Sequence, residues 1–144
     1  MTLRPWDPEN NYPGGVLKEY DRWVLEVSYR QHTLGCYIIF AKANVERISE
    51  LAVPDIFEMR QVMRDIETAL TKAPSFCPDR FNYWQMGNAL HRLHWHGIPR
   101  YQTPRRFAGN DWVDTTWGSV PLWSKQNVGP ALVEQIAGVL RPRL

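Results

Sequence analysis

A chain of 144 residues with 44% hydrophobic and 22% charged residues fits one domain, and can bury a core without disulfides or a structural metal. The formal net charge is +2 with no run of like charges, which speaks against nucleic acid or an anionic membrane as partner. Seven tryptophans are many for this length and point to core or interface before a ligand platform.

Residues 1–15 are rich in Pro, Asn and Gly and read as irregular. They lack the apolar centre of a secretory signal, and no apolar stretch is long enough to span a bilayer. The pair Cys36 and Cys77 makes no metal pattern, and reduced thiols in a cytoplasm are the simpler reading. Trp23 to Tyr29 is rich in β-branched and aromatic residues and predicts a strand. Arg30 to Gly35 reads as a turn, and Cys36 to Ala41 as a second strand completing a hairpin.

Glu46 to Leu51 predicts a short helical turn. Pro54 then suits a first helical position. Ile56, Met59, Met63, Ile66 and Leu70 recur at three- and four-residue steps, which predicts a helix of about five turns. Its methionines read as core filling. Pro74 and Pro78 open a loop. Phe81 to Met86 predicts a strand turning at Gly87-Asn88, and Leu90 to Ile98 another, stopped by Pro99. Residues 101–124 show no clean periodicity. The pairs Arg105-Arg106 and Arg141-Arg143 read as solvated surface. Val128 to Leu140 predicts a C-terminal helix despite Gly129 and Gly138. The order β-β-α-β-β implies an α+β domain, an antiparallel sheet covered by one long helix.

Three of the four histidines, His91, His94 and His96, fall within six residues. Side chains alternate along a strand, so His94 and His96 share a face with Cα atoms roughly 7 Å apart, while His91 would face away. An isolated pair of this kind fits a solvated face equally well. Here Pro99 places it near a strand end, and Gly87-Asn88 offers backbone N–H groups to an anion. A metal site needs further ligands, and His32, Asp111 and Asp114 lack ligand-like spacing to the pair. Phosphate chemistry needs a nucleophile and a means of stabilising charge. Neutral imidazole supplies the first, and a second imidazole supplies the hydrogen bond.

The segment Gly87-Asn88-Ala89-Leu90-His91-Arg92-Leu93-His94-Trp95-His96-Gly97-Ile98-Pro99-Arg100 resembles the signature of the histidine triad (HIT) superfamily, His-x-His-x-His followed by apolar residues and often Pro-Arg. Phe81-Asn82-Tyr83 and the run from Phe40 to Leu51 resemble the family's preceding segments. The likeness spans about residues 20–104, with 105–144 as a more variable tail, within a single domain 1–144. It implies a HIT-like antiparallel sheet with one long helix and a C-terminal extension helix, usually as a homodimer. It also implies a cytoplasmic nucleotide hydrolase or transferase acting at the α-phosphate of a nucleotide or dinucleoside polyphosphate, without a cofactor.

Carried over by position, His94 matches the nucleophile that forms a nucleotidyl-histidine intermediate, and His96 the histidine that contacts the α-phosphate. Asn82 matches an amide near ribose and phosphates, and Gly87, Asn88 and Ala89 a turn lining the phosphate site. Two positions depart from the pattern. Arg92 holds the first triad seat, and Asn44 stands where a supporting histidine is common. Arg92 cannot accept a hydrogen bond but can bind phosphate as a fixed cation. These departures leave open a nucleotide-binding module with weak or no catalysis. Base selectivity is expected around Trp23, Val27 and Ile38. Trp112, Trp117 and Trp123 are expected to cover either a subunit surface or this domain's own sheet.

Overall fold

Five strands form one sheet in the computed structural model, which describes residues 13–144. Strands β1 (Val16–Glu19), β2 (Trp23–Val27), β3 (Tyr37–Ala41), β4 (Arg80–Trp84) and β5 (His94–Arg100) are ordered β1-β2-β3-β5-β4, with every neighbour antiparallel. All residues of β2 and β3 are buried, so these central strands are covered on both faces. The architecture is α+β, as expected.

One face packs against helix α1 (Val53–Lys72), whose Val62, Ile66, Ala69 and Leu70 are fully buried or nearly so. Asp55 closes its first turn by accepting the Ala52 N–H at 3.0 Å. Three aromatic side chains of the sheet pin the helix. Trp23 Nε1 donates to the Asp55 carbonyl at 2.8 Å, Trp95 Nε1 to Met59 Sδ at 3.2 Å, and the Tyr83 hydroxyl to Glu67 at 2.6 Å. Ile56, expected in the apolar stripe, is 43% exposed, because the buried face rotates onto Val62 and Ala69. The second helix, α2 (Pro130–Leu140), sends Val133, Ile136, Ala137 and Leu140 into the same core. Residues 105–144 therefore complete the core, where the sequence suggested an appended tail.

Several boundaries move. Of the segment expected to be irregular, residues 1–12 lie outside the described residues, and 13–15 form a single 3-10 turn leading into β1. β5 begins four residues later than expected and runs through Pro99. Residues 90–92 bend because the Leu93 N–H is held by Val45 O and its carbonyl by the Ala41 N–H. Pro99 is tolerated because its carbonyl points beyond the end of β3, where Thr33 Oγ1 donates to it. Its nitrogen points the same way, so no bond to β4 is lost. A hairpin in 101–124 went unread. β6 (Arg105–Phe107) and β7 (Asn110–Trp112) are joined by Ala108 and Gly109, at φ of 52° and 77°. Two positive φ values make the tight turn that matches strand twist.

Candidate active site

The face of the sheet away from the helices carries the histidines. Register places Phe40 opposite His94 and Ile38 opposite His96, so all four side chains share this face. The His94 ring is buried and lies almost parallel to Phe40, with centroids 5.2 Å apart. Its Nδ1 is 2.6 Å from the Arg92 carbonyl. A carbonyl only accepts, so Nδ1 carries the proton and Nε2 keeps a free lone pair. His96 stands edge-on to His94 at 4.9 Å. Burial, followed by His94, His32 and Arg30, pushes its pKa down to about 3, so it is neutral at ordinary pH.

These rings sit in a cleft of about 240 Å³. Ile38 and Phe40 form its floor. Met86 to Leu90 make one wall, turning at Gly87 with φ +69°. Tyr29, Arg30 and Trp123 make the other. Trp123 stacks on His32 at 3.9 Å and on Trp84 at 5.4 Å, and meets His96 edge-on at 5.0 Å. His32 Nδ1 accepts the Ser124 N–H at 2.8 Å, and burial together with Arg30 lowers its pKa to about 4. The Tyr29 carbonyl accepts the Val128 N–H. The loop carrying Arg30 is thus stapled to the segment carrying Trp123. It is also closed internally. The Gln31 amide donates to Ser28 O and Cys36 O and accepts from the Gly35 and Cys36 N–H groups.

His94, His96, Gly87, Asn88 and Ala89 are brought together at this cleft. Asn82, Arg92 and Asn44 are not among the residues that line this cleft. Asn82 lies on the same sheet face, but its Oδ1 accepts from Arg100 at 2.9 Å, and it lines a separate hollow with Trp117 and Ser119. The Arg92 guanidinium is turned to the Lys42 carbonyl at 3.0 Å and to Asn44 Oδ1 at 3.4 Å. The two departures from the triad pattern therefore contact each other. His91 is off the strand, exposed, with Nε2 donating to Asn88 O at 3.1 Å. Trp23 and Val27 belong to the helix-side core, and only Ile38 of the expected selectivity trio reaches the cleft. Trp112 packs against the domain's own core and Trp123 against its own sheet.

The sequence gives no sign that Arg30 and Trp123 line this cleft, although Trp123 on its own sheet is one of the two places expected for it. Neither carries a local motif, and only long-range pairing delivers them. Among the described residues no group of three or more His, Cys, Asp or Glu is placed to hold a metal ion. The cleft thus joins an imidazole with a free Nε2, a neutral imidazole able to donate, and a fixed cation, a set that can act on a phosphate.

No family model matches the chain, and no curated protein matches it. Solved structures do. A histidine triad protein from Sinorhizobium meliloti matches with TM-score 0.72 at 18% identity, over 99% of this chain and 96% of that one. A Hit-like protein involved in cell-cycle regulation from Bartonella henselae matches with TM-score 0.67 at 18% identity, over 94% and 90%. A diadenosine triphosphate hydrolase from Plasmodium falciparum matches with TM-score 0.65 at 11% identity, over 90% and 76%. Sheet order, helix placement and these likenesses agree that the chain has the histidine triad fold.

Proposed function

We propose that this protein is a nucleotide phosphohydrolase or nucleotidyl transferase that works at the α-phosphate through His94. The observation that carries the reading is the His94 tautomer, fixed by the Arg92 carbonyl with Nε2 left free in the cleft. Nε2 attacks the α-phosphorus and forms a P–N bond while the P–O or P–N bond to the leaving group breaks in line. The ring gains positive charge, which the Arg92 carbonyl stabilises through Nδ1–H. His96, neutral in this setting, donates to a non-bridging oxygen as charge develops there. Water, or another acceptor, then attacks the same phosphorus as the P–Nε2 bond breaks, its proton passes to solvent, and His94 departs as the neutral imidazole. Met86 to Leu90 and Trp123 limit water around the reacting phosphate.

The nucleotide acted on, the homodimer and the cytoplasmic setting are parts of this proposal. Among the described residues no helix is long and apolar enough to cross a membrane. A binding module without useful catalysis is the second reading, favoured by Arg92, whose side chain turns to the Lys42 carbonyl and Asn44. The test compares wild type with His94→Ala on diadenosine triphosphate and adenosine phosphoramidate. Turnover should fall at least a thousandfold, and an alkaline quench should trap an adenylyl adduct on wild type alone. Equal turnover by the two proteins would overturn the catalytic role of His94. AMP binding without any turnover would select the binding module.

A further inference from the structure

Among the described residues, Arg30 is the one permanently charged side chain that lines the cleft. The described lining includes no Asp, Glu or Lys, and it holds His94 and His96 as well as Arg30. Arg92, the cation expected at the phosphate, is spent on Lys42 O and Asn44. Arg30 is differently placed. Its guanidinium makes no ion pair among the described residues, and it rests over the Tyr29 ring at 5.5 Å. Its Nε, like that of Arg92, is buried without a hydrogen-bond partner among the described residues, so what distinguishes Arg30 is its place in the cleft lining. The terminal nitrogens are not buried and make no hydrogen bond among the described residues, so they can meet an anionic ligand oxygen in the cleft.

The backbone beneath Arg30 is held firmly. Ser28 Oγ accepts the Arg30 N–H at 3.1 Å, and the Gln31 amide closes the loop on both sides. The charge is felt across the site, since Arg30 contributes to lowering the pKa of both His32 and His96. An imidazole that is neutral can donate one hydrogen bond but brings no net charge. A nucleotide with a single phosphate carries all its charge on the group that the two imidazoles address. A leaving group that is itself phosphorylated brings further negative charge, and a planar guanidinium is the side chain matched to it.

Building on the α-phosphate reading above, we propose that Arg30 holds the phosphorylated leaving group, and that the cleft thereby prefers nucleotides whose leaving group is a phosphate or nucleotide over those that release an amine or alcohol. The α-phosphate lies against His94 and His96, and the next phosphate lies against the guanidinium. Arg30 stabilises the charge that gathers on the departing oxygen as the P–O bond breaks. It contributes nothing comparable when a neutral amine departs.

Two measurements test this with Arg30→Met and Arg30→Lys, each first checked for an unchanged thermal midpoint. In the first, kcat/KM for diadenosine triphosphate should fall at least thirtyfold in Arg30→Met, against less than threefold for adenosine phosphoramidate. Arg30→Lys should recover part of the loss. Equal falls on the two substrates, or no fall on either, would overturn the proposal. The second uses calorimetry on a His94→Ala background, where no covalent step intervenes. Adding Arg30→Met should weaken ADP at least tenfold and AMP less than threefold, and equal effects on both would again overturn it. If neither nucleotide binds His94→Ala or wild type, the nucleotide reading itself falls, and this inference with it. If both bind while wild type turns over neither substrate, catalysis alone falls, and the ADP-to-AMP ratio still decides on Arg30.

Discussion

His94 owes its tautomer to a main-chain carbonyl, and a main-chain carbonyl is present whatever side chain occupies position 92. Arg92→Ala should therefore keep the nucleophile and lower kcat on diadenosine triphosphate by less than tenfold. A loss approaching that of His94→Ala would mean that the Arg92 side chain acts in the chemistry after all. Acidification should act through His96. Its folded pKa is depressed from an ordinary 6.5 to about 3, so between those values the unfolded chain binds the proton and the folded chain does not. Stability from this group is complete above pH 6.5 and declines as pH falls, by at most about 1.4 kcal/mol per unit. His32, lowered to about 4, adds a slope of the same sign, so His96→Asn should make the urea midpoints between pH 6.5 and 4 less steep without flattening them, and an unchanged slope would show that His96 is solvated. The pair His94 and His96 was legible because strand alternation is a local rule. What the sequence does not show of Asn82 is that its amide oxygen accepts from Arg100, eighteen residues away. Arg30 and Trp123 were invisible for the same reason in reverse. Their relevance depends on the loop-to-tail staple at His32 and Ser124, which no spacing rule encodes.

At the level of elements, β5 carries the candidate site on one face and a close approach of Gly97 to Tyr37 on the other. Gly97 sits opposite Tyr37, and a Cβ there would lie 2.1 Å from the Tyr37 ring. That ring cannot swing aside easily. Its hydroxyl meets Tyr83 at 2.6 Å, and Tyr83 donates to Glu67 on α1 at 2.6 Å. Glycine is needed here for room, since its φ is not positive. Gly97→Ala should cost about 2–3 kcal/mol as overpacking, read from chemical denaturation. Adding Tyr37→Leu should restore part of it, and a double variant no better than Gly97→Ala would show that strain, not the ring, sets the cost. The same region explains which elements could be read ahead of the structure. The long helix was legible from its period and the central hairpin from its composition. The start of β5 was not, because the Leu93 bonds to Val45 and Ala41 override local β-propensity. The β6–β7 turn was hidden because Ala108, a residue without turn preference, takes a positive φ there.

Across the whole molecule, Arg100 ties the end of β5 to the segment that leads to Trp123. Its side chain and that of Asp114 are 3% and 2% exposed. Nε and one terminal nitrogen bind the Asp114 carboxylate at 2.6 and 3.1 Å, and the remaining donors reach Asn82 Oδ1, Ser119 O and Thr116 O. Burial alone would raise the Asp114 pKa, but the guanidinium and the N–H groups of Tyr101 and Thr116 hold it below the usual carboxylate range. Its contribution is present above the unfolded carboxylate pKa and is lost as pH falls through the lowered folded value. Removing one partner leaves a charge buried alone, whereas removing both leaves only a cavity. Asp114→Ala should therefore cost about 3–5 kcal/mol in denaturant unfolding, and Arg100→Leu with Asp114→Leu should cost less than that single change. Because the 114–119 segment hangs on this pair, Asp114→Ala should also speed amide exchange from 114 to 124. Trp123, nine residues beyond, then loses its hold on His96, so turnover should fall along with stability. Unchanged exchange in that segment, with a stability loss matched by the double variant, would mean that the pair fills space without organising the wall of the cleft.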